Sequence, residues 1–86
     1  MKYKVKYVKA IGDGSFGGLN CYAAKDLKMH YPYSYNTIVI LAGQSRKLAK
    51  ETILHEILEA ELMRQSEMHY KKAHKFAEGI ERNLRT

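Results

Sequence analysis

From Ser45 onward the chain has little choice of conformation. Ser45 can cap a helix, and the next twenty residues contain no glycine or proline and are rich in Leu, Ala, Glu and Lys. Residues 46 to 64 are therefore expected to form one helix. Gln65 and Ser66 mark the break, with Ser66 as the N-cap of a second helix to residue 84, in which Ala73, Phe76, Ala77, Ile80 and Leu84 repeat at three- and four-residue spacing. Gly79 weakens that helix without ending it.

The residues before Ser45 carry strand and turn signals instead. Lys2 to Lys9 alternates lysine with Tyr3, Val5 and Tyr7, the period of a half-buried strand. Gly12 to Gly18 supplies turn chemistry, and Leu19 to Ala24 is expected to pair back on the first strand. Residues 26 to 36, with Pro32, read as an irregular connection, and Ile38 to Leu41 as a short apolar strand ending at Gly43. The expectation is one α+β domain over residues 1–86, with about three strands in 1–43 followed by an antiparallel helical hairpin in 45–86. With 86 residues and 45% hydrophobic side chains, one modest core is affordable and a multi-domain enzyme is excluded.

Cys21 is the only cysteine, which rules out an internal disulfide framework and any multi-cysteine zinc site. Cohesion must come from packing, from a partner, or from histidine and carboxylate ligands. The longest apolar run, Ile38 to Ala42, falls far short of the ~20 residues that span a bilayer, and no apolar stretch follows the N-terminal lysines as in a signal peptide. A soluble, cytoplasmic protein without membrane contact is expected.

Fifteen basic residues against nine acidic ones give a formal charge of +6, which favours nucleic acid, acidic proteins or anionic surfaces. Lys2, Lys4, Lys6, Lys9, Lys25 and Lys28 are interleaved with Tyr3, Tyr7, Tyr22, Tyr31, Tyr33 and Tyr35. Such a pattern fits a groove for single-stranded nucleic acid, with bases stacked on the rings. It fits better an edge strand whose lysines block aggregation, which leaves weak nucleic-acid contact at most. A small basic nucleic-acid-binding or adaptor protein, with a structural or vestigial metal site, is the alternative function. Gly12-Asp13-Gly14-Ser15-Phe16-Gly17 matches G-x-G-x-x-G, but no helical pattern opens at its third glycine and no parallel β-α-β pattern follows. A turn is the expectation there.

The segment His55-Glu56-Ile57-Leu58-Glu59 carries the chemistry. At ~100° per residue, Glu59 falls about 40° and Glu56 about 100° from His55 on the helical wheel, inside an arc shared with Leu48, Ala60, Leu62 and Met63. Lys47, Lys50, Glu51 and Glu61 gather at about 220° to 320°, an arc they share with Leu54 and Leu58. Two carboxylates and an imidazole on a core-facing arc require a partner, because burying them uncompensated costs several kcal/mol each. A divalent metal is the economical partner. His55 and Glu59 project from successive turns and can grip one ion, while Glu56 points beside them toward a bound water. The pattern H-E-x-x-E also fits an ordinary helix with exposed glutamates.

A third ligand comes from the second helix. Antiparallel packing about a turn at Gln65–Ser66 sets His74 level with position 57, between His55 and Glu59, and sets His69 near Leu62. Rotation favours His69, which points nearer the apolar stripe. Height decides whether a ligand can reach, so His74 is preferred and His69 is the alternative. A two-metal arrangement that adds Glu78 ranks last, since Glu78 falls level with Ile53.

Residues 36–40 (Asn-Thr-Ile-Val-Ile), then Thr52 to Ala60 and Tyr70 to Ala77, resemble the edge strand, active-site helix and following helix of zincin metallopeptidases, in the reduced form of small phage and archaeal proteins. The resemblance covers residues 36 to 82 and departs from most zincins at Glu59, where they carry histidine. It implies Zn2+ held by His55, Glu59 and His74, the two-histidine, one-glutamate set of gluzincins in a different chain order, with Glu56 as general base. The activity implied is peptide hydrolysis through a metal-activated water, with an extended peptide or protein substrate added along Ile38–Leu41. Tyr70 or a tyrosine of 31–35 is a candidate to polarise the oxyanion.

Overall fold

The structure is a computed structural model that describes residues 2–12, 14 and 16–85, the last of these through the backbone alone at 81 and 83–85. Asp13 and Ser15 of the glycine loop and the side chain of Leu84 lie outside the described residues. The fold is α+β. Strand β1 (Lys4–Val8), strand β2 (Gly18–Leu19), helix α1 (Cys21–Asp26), strand β3 (Thr37–Leu41), helix α2 (Arg46–Ser66) and helix α3 (Tyr70–Arg85) follow in that order.

The three strands form a mixed sheet in the order β1-β3-β2. β1 runs parallel to β3, with Val5 beside Ile38 and Tyr7 beside Ile40, and β2 runs antiparallel to it, with Gly18 beside Ile40 and Leu19 beside Val39. β3 is therefore central, which explains its unbroken apolar sequence: Ile38, Val39 and Ile40 are all buried. The strand expected to receive a substrate peptide, Ile38–Leu41, thus has neighbours on both sides. One edge of β3 is taken by β1, and the other is taken by β2 at Val39 and Ile40.

Leu19 to Ala24 departs from expectation. Only Gly18 and Leu19 are extended, they pair with β3 rather than β1, and the chain turns at once into α1. Asn20 is the reason, since its side-chain oxygen accepts from the backbone N–H of Ala23 and caps the helix. Ala23 and Ala24, now helical, are fully buried in a core they share with Leu19, Val39, Met63 and Ala73. That core joins the strand-rich part to both long helices.

α2 is capped by Ser45, whose hydroxyl accepts from Leu48 N–H, and it runs two residues past its expected end. Glu67 in the left-handed conformation (φ 52°) closes it. Ser66 is thus the last residue of α2 and not a cap for α3. The N-terminus of α3 is met instead from a distance, where Tyr70 N–H donates to Asp26 Oδ2 at 2.8 Å. The α3 stripe also divides: Ala73 and Ala77 are fully buried, whereas Phe76 and Ile80 are exposed. Small side chains at the contact let α3 lie close on α2, where Ala60 is likewise fully buried. Among the described residues no helix is long and apolar enough to cross a membrane.

β1 is an edge strand with Lys4 and Lys6 exposed. Several tyrosines interleaved with those lysines are committed to the fold. Tyr31 and Tyr33 stack edge to face at 5.1 Å, the Tyr31 hydroxyl donates to the Thr37 carbonyl, and Tyr22 packs on the core. Tyr7 and Tyr35 remain exposed. Tyr3 ties the N-terminal segment to α2 by donating to Glu61 Oε1 at 2.5 Å.

The Glu61 carboxyl also accepts from Arg64 and Gln65, and the Arg64 guanidinium first, then the Tyr3 hydroxyl, hold it down to about 2. A group whose folded pKa is depressed contributes stability above its unfolded pKa, and that contribution is lost as pH falls through the folded value. Tyr3→Phe is therefore expected to lower the melting temperature at neutral pH and to flatten the loss of stability between about pH 4.5 and pH 2. An unchanged melting profile across that range would show that the contact carries no stability.

Candidate metal centre

α2 presents His55, Glu56 and Glu59 on its buried face, as the helical wheel places them, with exposures of 8%, 5% and 1%. α3 crosses this face in antiparallel sense and brings His74 level with them. His55 Nε2 and Glu59 Oε2 are 3.1 Å apart, His55 Nε2 and His74 Nδ1 are 3.1 Å apart, and His74 Nδ1 and Glu59 Oε2 are 3.0 Å apart. The three atoms thus form a nearly equilateral triangle. The two imidazole rings meet edge to face, 4.7 Å between centroids.

His69 takes no part. Its side chain is 93% exposed and lies 3.6 Å from Asp26, at the end of α3 that Asp26 caps. Height along the hairpin, rather than rotation, selects the histidine that reaches α2. Glu78 is outside the triangle as well, and its Oε1 lies 3.0 Å from the far nitrogen of His74.

The triangle suits a cation better than it suits protons. An imidazole nitrogen offers a single in-plane direction, as N–H or as lone pair, so each ring can serve only one of its two neighbours well. One oxygen and two nitrogen donors are a set that zinc accepts, and tetrahedral bonds of ~2.0–2.1 Å separate ligand atoms by about 3.3 Å, close to the spacing here. His55, Glu59 and His74 are the one group of this kind among the described residues.

Both carboxylates depend on a residue that sequence reasoning missed. Asn20, 1% exposed, donates through its amide nitrogen to Glu56 Oε1 at 2.9 Å and to Glu59 Oε1 at 3.1 Å. Because Asn20 Oδ1 accepts from Ala23 N–H, the amide is oriented with its two protons toward the glutamates. The only signal in the sequence is an asparagine before Cys-Tyr-Ala-Ala, which marks a helix cap and says nothing of α2. With Oε1 held by Asn20, Glu59 turns Oε2 to the triangle.

Glu56 is the buried acid beside the triangle. Burial, then the charge of Glu59, push its carboxyl up from the ordinary carboxylate range, against the lowering effect of the Asn20 amide. The cleft it faces, about 350 Å³, is lined by Phe16, Gly17, Gly18, Thr52 and Tyr70 along with His55 and His74. Burial, then Glu59 and Glu56, push the Tyr70 phenol up to about 12 and keep it a proton donor. A cavity of similar size, about 380 Å³, lies among Val8, Ile11, Met29, Tyr31 and Tyr33 and holds none of these ionisable groups.

Gly18 lets the sheet approach α2 this closely. A Cβ there would stand 2.8 Å from Thr52 Cγ2 and 2.9 Å from Glu56 Cγ. Compared with protein-family models, with curated proteins and with solved structures, the chain matches none.

Asn20→Ala is expected to cost roughly 2–4 kcal/mol by urea unfolding, since it removes a cap and leaves two buried carboxylates without their donor. Asn20→Asp keeps the cap yet sets a third carboxylate against the pair, and should cost at least as much at neutral pH. A neutral Asn20→Asp would mean that the amide does not support the glutamates. Gly18→Ala should displace Glu56 or open the β2–α2 contact, readable as shifted amide resonances at residues 52–59.

Proposed function

We propose that the protein is a zinc-binding, metallopeptidase-like domain that hydrolyses peptide bonds. The observation that carries this reading is the triangle of His55 Nε2, Glu59 Oε2 and His74 Nδ1 at 3.0–3.1 Å, with Glu56 buried next to it. His55, Glu59 and His74 would hold the ion, and three protein ligands leave a fourth position open, as catalytic zinc sites do. Zinc held there would supply Lewis-acid charge, which lowers the pKa of a bound water toward neutrality.

The remaining chemistry belongs to the chain. Glu56 takes the proton of the attacking water on a carboxylate oxygen and returns it to the leaving amine. Asn20 keeps Glu56 and Glu59 in place throughout, because its amide is anchored at both ends. Tyr70 borders the cleft as a neutral phenol and is the candidate donor to the developing oxyanion.

An extended substrate belongs on β2 rather than β3 in this reading. Leu41 N–H donates to Gly17 O, so residues 17 and 19 bond toward β3 and the alternation of an antiparallel ladder turns the N–H and C=O of Gly18 outward. Gly18 lines the cleft, where those groups can pair with a peptide main chain.

Glu56→Gln tests the assignment because it is nearly isosteric and alters no ligand. The variant should keep its zinc while cleavage of a mixed pool of unfolded peptides falls ~10²- to 10⁴-fold, and a chelator should abolish cleavage by the wild type. Equal cleavage by the two proteins would remove Glu56 as the base. A zinc-loaded wild type that cleaves nothing would make the site structural.

A further inference from the structure

Each imidazole of a metal site has a second nitrogen, and its partner decides which tautomer the ring adopts. For His74 that partner is on the same helix. Glu78 lies one turn further along α3, and its Oε1 is 3.0 Å from His74 Nε2, while His74 Nδ1 faces Glu59 Oε2 and His55 Nε2. The ring therefore stands between a carboxylate outside the triangle and the triangle itself.

We propose that Glu78 is a positioning residue for the metal centre: its carboxylate accepts the Nε2–H of His74 and so presents the Nδ1 lone pair to the ion. The proposal rests on the metal-binding reading and adds to it the reason why His74 serves through Nδ1. A carboxylate at this position can only accept, so the proton of a neutral ring belongs on Nε2. The alternative tautomer would place N–H inside the triangle, where it blocks a cation, and would set a lone pair against Glu78.

The contact is also the one most readily made, since residues four apart on a helix share a face. His74 and Glu78 are both partly exposed, with side-chain exposures of 36% and 48%. The effect should accordingly fall at the low end of what outer partners of metal-bound histidine contribute, about tenfold in affinity. A purely helical role for Glu78 would leave both the zinc affinity and the position of the ring proton unchanged.

Two variants and two readouts decide it. Zinc affinity by competition with a chromophoric chelator should fall about tenfold in Glu78→Ala and recover most of the way in Glu78→Gln, whose amide oxygen still accepts from Nε2–H. In zinc-free protein, at a pH where the His74 ring carries one proton, nitrogen-15 resonances should place that proton on Nε2 in the wild type and in Glu78→Gln. Glu78→Ala should show a mixture. Wild-type affinity in Glu78→Ala, or a wild-type proton on Nδ1, would overturn the proposal. Should the wild type bind no zinc, the metal reading fails by itself, and the position of the ring proton still decides the role of Glu78.

Discussion

The structure turns on a cost that the sequence imposes: a histidine and two glutamates lie on the face of α2 that the fold must cover. Glu59 is 1% exposed and Glu56 5%, and an uncompensated carboxylate at such depth costs several kcal/mol. Three elements converge on these groups. Asn20 enters from the start of α1 and bridges both carboxylates, His74 enters from α3, and Gly18 lets β2 come close enough to close the site without a side chain in the way. The placement of α1, α3 and β2 around α2 thus answers one electrostatic requirement.

A second device holds α3 at the right height. Asp26 at the end of α1 caps the first turn of α3 through Tyr70 N–H, and Ala73 and Ala77 allow close approach to α2. The same anchor leaves His69 near Asp26 and out of reach of the triangle. α1 therefore serves the site from both ends, with Asn20 at its start and Asp26 at its finish.

What the sequence made legible was whatever depends on local periodicity. The extent of α2, the Ser45 cap, the arc that gathers His55, Glu56 and Glu59, and the level of His74 all follow from helix geometry and one turn. What escaped depends on contacts between distant segments. The central position of β3 is a matter of strand order, which an apolar run suggests but does not fix. α1 was hidden because Leu19 to Ala24 suits a strand as well as a short helix, and the choice is made by the Asn20 cap and its bonds to α2. Spacing alone groups Phe76 and Ile80 with Ala73 and Ala77, yet the face that α3 turns inward is the one with small residues and His74. Glu78 stands four residues after His74 in the sequence, but which nitrogen of His74 it meets depends on how α3 packs on α2.

The metal content of untagged protein bears most directly on the claim that His55, Glu59 and His74 form a cation site. Elemental analysis of protein purified without a histidine tag, or refolded with zinc, should give one zinc per chain, lost in His74→Ala and kept in His69→Ala. Zinc absent from both the purified and the refolded wild type, or full occupancy in His74→Ala with loss in His69→Ala, would contradict the account.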